Sequence, residues 1–246
     1  MNFERIMNIK GYIFDYGGTI DTAGCHWGKK LWHAYQRLQV AVSEQHFREA
    51  YVHAERTLGS QPIVKPSHTF HCLLDLKLRI ELEFLMEQGY WNPTEELYLQ
   101  THQQLLENLY AEVRQTVAHS REVLLRLRER CPLVLVSNFY GNMSVVLREF
   151  QLDALFEHVV ESAVVGIRKP DSRIFTLGVE AMQAVMPGSA LSPADITVVG
   201  DSFYKDILPA RKAGCRTVWF KGEGWTDETY DETVPDQVIT DLAQLL

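Results

Sequence analysis

The chain has 246 residues, 46% hydrophobic and 23% charged, the proportions of a globular protein rather than a disordered or fibrous one. Its formal charge of -8 argues against nucleic acid or an anionic membrane as a partner, because phosphate surfaces require a basic face. No apolar run nears the ~20 residues that span a bilayer, the start MNFERIMNIKG lacks a signal-peptide apolar block, and Cys25, Cys72, Cys131 and Cys215 lie far apart, so a soluble cytoplasmic protein with reduced thiols is expected.

In chain order, the first predicted element is a strand, Ile9–Phe14, ending in Asp15-Tyr16-Gly17-Gly18-Thr19-Ile20-Asp21. From about Cys25 to Val117 strand-like runs disappear. Apolar residues recur there at helical spacing (Leu31, Tyr35, Leu38; Phe47, Tyr51, Ala54; Leu105, Leu106, Leu109, Val113). Breaks fall at Gly59-Ser60-Gln61-Pro62 and Gly89 to Thr94, where Thr94 reads as an N-cap. Strands resume at Leu133–Val136, followed by Ser137 and Asn138, and at Val159–Val160. Gly166-Ile167-Arg168-Lys169-Pro170-Asp171 precedes a helix. Strand Ile196–Val199 runs into Gly200-Asp201-Ser202-Phe203-Tyr204-Lys205-Asp206, and Thr217–Phe220 and a weaker Gln237–Ile239 close the series.

The stronger strands are continuously apolar, as expected when helices cover both faces of a parallel sheet. The fold class predicted is therefore α/β, a Rossmann-like core of residues 1–24 and 118–246 with an all-helical insertion at 25–117. Hinges are expected near Thr22–Gly24 and around His119. Ligands of open parallel sheets bind beyond the carboxyl ends of the strands. The sheet would gather Asp15, Ser137, Lys169, Asp201 and Asp206 there. Crowded carboxylates call for a hard cation, and an all-oxygen set suits Mg²⁺. A lysine, a hydroxyl and free backbone N–H groups suit a phosphoryl group.

These clusters resemble the four motifs of the haloacid dehalogenase-like hydrolase superfamily, in order: FDYGGT, LVLVSN, GIRKPDSRIF and GDSFYKD. A helical cap between motifs one and two is a feature of one large branch of that superfamily. The resemblance implies a Mg²⁺-dependent phosphatase acting on a small phosphorylated metabolite, present as a monomer or homodimer. Asp15 would be the nucleophile, forming an aspartyl intermediate. Asp15, the backbone carbonyl of Gly17 and Asp201 would hold Mg²⁺ with Asp206 close by. Ser137 and Lys169, with Asn138 and Gly18, would bind the phosphoryl group, and Thr19 would orient motif one.

One departure matters. The phosphatases of the superfamily carry a second Asp, the general acid/base, where this chain has Gly17. Metal binding survives that change because the ligand is a backbone oxygen. Proton transfer does not, so slow turnover with a trapped phospho-Asp15 is expected unless another side chain supplies the proton, with His26, His33, nearby lysines and Asp21 as candidates. Two other readings stay open: cleavage of another bond, such as carbon–phosphorus with a cap lysine (Lys29, Lys30, Lys65 or Lys77), and a silent phospho-ligand-binding protein. His26/His33 and His46/His53 repeat two helical turns apart and read as cap-surface residues. Trp27, Trp32 and Tyr35 read as packing at the start of the cap, some lining the pocket.

Overall fold

The computed structural model describes residues 9–246, so the amino-terminal stretch read above lies outside it up to residue 8. Among the described residues six parallel strands form one sheet: β1 (Gly11–Phe14), β2 (Leu133–Ser137), β3 (His158–Glu161), β4 (Ile196–Gly200), β5 (Arg216–Phe220) and β6 (Gln237–Ile239). Their spatial order is β3-β2-β1-β4-β5-β6. Chain growth thus runs outward from β1 in both directions. The switch point falls where β1 pairs with β2 on one side (Ile13 opposite Val134) and β4 on the other (Ile13 opposite Val198). This is the α/β, Rossmann-like arrangement expected from the apolar runs.

The pleat divides each strand between two cores. Ile13, Val134, Val136 and Val198 pack with Ile174, Phe175, Val179 and Met182 of α7 (Arg173–Val185). Tyr12, Phe14, Leu133 and Leu135 face the other way, into a cluster that continues without a break into the helices between β1 and β2. Those helices are α1 (Trp27–Arg37), α2 (Glu44–Ser60), α3 (Phe70–Glu87) and α4 (Glu95–Arg128). Each starts on a side-chain acceptor: His26, Ser43, Thr69 and Thr94 accept from the backbone N–H two or three residues on. Leu31, Tyr35, Phe47, Leu78, Leu82 and Leu105 fill the space between them. Among the described residues no helix is long and apolar enough to cross a membrane.

The return from this helical block differs from the expected hinge. α4 passes through His119 unbroken, so the predicted boundary at 117/118 lies inside a helix. Nothing in Val117-Ala118-His119-Ser120-Arg121 can stop it, and buried Ser120 fastens it by donating to the Ile20 carbonyl at 2.8 Å. The outgoing link does turn sharply, with Ala23 and Gly24 both left-handed at φ 55° and 81°. Smaller helices complete the core: α5 (Met143–Glu149), α6 (Ser162–Val165) and α8 (Leu208–Lys212), with a π-helical turn at Phe203–Ile207.

Candidate active site

Asp15 is the first residue beyond β1, and its N–H donates to the Val199 carbonyl of β4 at 3.0 Å. The strand direction therefore delivers its carboxylate to the switch point. Lys169 reaches the same spot from the loop before α7, with Nζ 2.5 Å from Asp15 Oδ1, 2.7 Å from Asp206 Oδ1 and 3.4 Å from the Val136 carbonyl. Asn138 fixes that loop, accepting from Lys169 N at 2.9 Å and donating to the Lys169 carbonyl at 3.0 Å. Ser137, the last residue of β2, donates to Asp15 Oδ1 at 3.4 Å.

Thr19 ties motif one to motif four. Its hydroxyl accepts from Asp201 N at 2.9 Å and lies 3.4 Å from Asp15 Oδ2 and 3.3 Å from Asp201 Oδ1. Two glycines make the approach possible. At Gly18 (φ 98°) an added Cβ would lie 2.4 Å from the Asp201 carboxylate, and at Gly200 one would lie 2.4 Å from the Asp206 side chain. The π-helical turn aims Asp206 inward, where Ser202 N holds its second oxygen at 3.0 Å.

One oxygen from each of Asp15, Asp201 and Asp206 can lie within 4.8 Å of the others. Burial raises Asp15 to about 6, against the pull of Lys169. It also raises Asp201 well above the usual carboxylate range, helped by Asp206 and Asp15. Burial works to lower the pKa of Lys169, but Asp15 and Asp206 outweigh it and hold the ammonium charged. One ammonium among three carboxylates, two buried and Asp201 half-buried, leaves the cluster negative. An oxygen-only donor set short of positive charge fits a hard divalent cation such as Mg²⁺.

The family model for haloacid dehalogenase-like hydrolases matches residues 9–214. The chain belongs to this family. A glyceraldehyde 3-phosphate phosphatase of Pyrococcus furiosus is 35% identical over 135 residues, 53% of this chain and 52% of that protein. A phosphoserine phosphatase of Thermus thermophilus is 36% identical over 90 residues, 37% of this chain and 32% of that one. The chain spans about half the length or less of these curated relatives. The fold matches a crystal structure of a Bacillus subtilis hydrolase of the family bound to magnesium, with TM-score 0.56, 18% identity and 97% of both chains covered.

In this haloacid dehalogenase-like hydrolase the helical block lines one side of the site. A cavity of about 150 Å³ runs from Asp15, Gly17, Gly18 and Asp201 to residues of α1, α2 and α3. Buried Lys77 and half-buried Glu55 form an ion pair on its far wall, the ammonium 5.6 Å from the Trp27 ring and 5.8 Å from Tyr51. Tyr140, from the loop after β2, donates to the second Glu55 oxygen at 3.1 Å and so ties the block to the core. Lys77 appeared in the sequence only as one of four lysines; Glu55, Tyr140 and the neighbouring Arg168 and Lys205 were missed. Arg168 and Lys205 adjoin motif residues and could have been found. Glu55 and Lys77 stand on separate helices, and nothing local links them. The histidine pairs are dispersed: His46 stacks on Tyr90 at 3.7 Å, His53 on Phe84 at 4.5 Å, and His33 pairs with Glu223 at 3.3 Å. Trp32 and Tyr35 pack on Phe47, whereas Trp27 lines the cavity.

Proposed function

We propose that this hydrolase is a Mg²⁺-dependent phosphatase of small phosphorylated metabolites, working through an aspartyl phosphate on Asp15. The observation that carries this reading is the bridge of Lys169 between Asp15 and Asp206, in a cavity that Asp201, Gly17 and Gly18 also line. Asp15 Oδ attacks phosphorus, and Lys169 and Ser137 receive phosphoryl oxygens as charge builds on them. Asp15, Asp201, Asp206 and the Gly17 carbonyl would hold Mg²⁺, which supplies positive charge that lets two anions meet. The relatives named as phosphatases of three-carbon phosphates suit the small volume of the cavity.

Residues 25–117 act in this reading as a cap that excludes water and must open for exchange, the wall carrying Lys77 and Glu55 leaving with it. Carbon–phosphorus cleavage through a lysine imine needs a neutral amine. Burial favours that form at Lys77, but Glu55, with Tyr140 and Tyr51, overrides it and keeps the ammonium well above its usual range. A panel of phosphorylated metabolites, assayed with and without Mg²⁺, tests the proposal. At least one should turn over with Mg²⁺ and not in Asp15→Asn; binding without turnover across the panel would replace this reading with a silent binding protein.

A further inference from the structure

The proton that the missing carboxylate would carry must come from elsewhere in the cavity. Space at position 17 is open: an added Cβ would meet nothing within 4 Å, and φ there is not left-handed, unlike Gly18. The cavity therefore has a gap in its wall beside the nucleophile. Most candidates are committed. His26 Nδ1 accepts from Gly28 N at 3.0 Å as the cap of α1, and burial, with Lys205, pushes the ring down to about 4, leaving no proton to give near neutral pH. His33 is paired with Glu223 outside the cavity. Lys29 and Lys30 pair with Glu44 and Glu112, and Lys77 with Glu55.

Asp21 remains. The turn that follows motif one folds back on itself, Ile20 N donating to the Tyr16 carbonyl at 2.8 Å, and carries the Asp21 carboxylate to the cavity wall beside Gly17 and Gly18. Gly18 N donates to its Oδ1 at 2.7 Å and Trp27 Nε1 to its Oδ2 at 2.9 Å. Each carboxylate oxygen has two acceptor positions, so both keep one free. A carboxylate used only to cap the turn would need the Gly18 contact alone. Here the first helix of the block contributes an indole that fixes the second oxygen as well.

We propose that Asp21 is the general acid/base of this hydrolase, acting through the gap left by Gly17. The inference rests on the phosphatase reading above. In the first step Asp15 Oδ bonds to phosphorus, the ester P–O bond breaks, and the departing oxygen takes the proton of the Asp21 carboxyl. In the second, water attacks the phosphorus of the aspartyl phosphate and gives a proton to the Asp21 carboxylate. The P–O bond to Asp15 breaks, orthophosphate leaves, and both side chains return to their starting forms. Burial raises Asp21 to about 7, against the Gly18 and Trp27 hydrogen bonds, so both forms are accessible near neutral pH. Asp15, Asp201 and Tyr16 interact with it directly, and His26, Lys169, Lys205, Asp206 and the Lys77–Glu55 pair line the same cavity.

The test is rapid-quench kinetics with 4-nitrophenyl phosphate and less activated aryl and alkyl phosphates. In Asp21→Asn the amide opposes the Trp27 N–H donor to donor, so Trp27→Phe serves as the reference and Trp27→Phe/Asp21→Asn as the working variant. Relative to that reference, loss of the carboxyl should cut steady turnover ~10²–10⁴-fold, the loss deepening as the leaving group becomes more basic. The 4-nitrophenol burst should survive and phospho-Asp15 should accumulate. Adding Gly17→Asp, into open space, should restore at least tenfold. Unchanged turnover, or equal loss of burst and steady rate with no trapped phosphoenzyme, would overturn the role of Asp21. A parent protein that neither turns over nor labels at Asp15 would instead overturn the phosphatase reading and the inference with it.

Discussion

Glu81 offers a direct measure of how dry the helical block is. It lies on α3 with no solvent exposure; Tyr35 Oη donates to its Oε2 at 3.3 Å, and Oε1 has no partner. Burial lifts its pKa from 4.5 to about 8, the charge of Lys77 one turn away only partly offsetting that. Below pH 4.5 the group is protonated folded or unfolded and costs nothing. Between 4.5 and 8 the unfolded chain releases the proton while the folded one keeps it, so stability falls as pH rises, by up to ~1.4 kcal/mol per pH unit. Above that window the accumulated loss is about 5 kcal/mol, and at pH 7 about 3 kcal/mol. Glu81→Gln keeps the shape and cannot ionise, so its stability should fall less steeply than the parent's, which keeps the Glu81 decline on top of that from Asp15 and Asp21. At 2–4 °C per kcal/mol for a chain of this size, the melting temperatures should diverge by roughly 10–20 °C between pH 5 and 8.5. Urea unfolding at pH 5, 7 and 8.5 gives the free energies directly. Parallel stability–pH curves for the two proteins would refute the reasoning, since they would mean that water reaches Glu81 or that the unfolded carboxyl is equally perturbed.

Two further expectations concern the site. Calorimetric titration should find one Mg²⁺ site despite Gly17, weakened at least tenfold in Asp201→Ala because a third of the carboxylate set is lost; unchanged affinity would remove the metal assignment. Solution scattering with saturating Mg²⁺ and a phosphate-mimicking metal fluoride should show a more compact particle than the free protein, with Glu55→Ala, which loses the Tyr140 contact at 3.1 Å, shifting the free form further open; identical profiles in all states would exclude a moving cap.

Much of this molecule was legible in its residues taken in order. The strands announce themselves because a sheet covered on both faces demands unbroken apolar runs, as in Leu133–Val136 and Ile196–Val199. The carboxyl-end residues follow from parallel topology, so Asp15, Ser137, Lys169, Asp201 and Asp206 could be assembled before any coordinate was known. Thr94 signalled its helix because a cap acts within three residues, Leu97 N donating to its hydroxyl at 3.2 Å. Interactions of that kind are local, or repeat with the period of an element, and sequence order preserves them.

The rest depends on which surfaces meet. That α4 runs straight past His119 is decided by buried Ser120 against Ile20, a hundred residues away, and by the core the helix shares with the sheet. Gly28 lies within α1 with no local signal to set it apart, and a Cβ there would lie 2.0 Å from the ring of Trp225, which packs against His26 and Tyr51 from the loop beyond β5. Gly17 and Gly18 are neighbours in FDYGGT, and the fold places one in open space and the other at φ 98° against Asp201. Asp21 gains its meaning in the same way, from an indole six residues on that returns to its second oxygen and a cavity built by five other segments. Hydrogen-bond donors, charge partners and excluded volume act over a few ångströms in space whatever their separation along the chain, so the sequence alone determined the frame and the motif residues, and the tertiary structure decided what stands across the cavity from them.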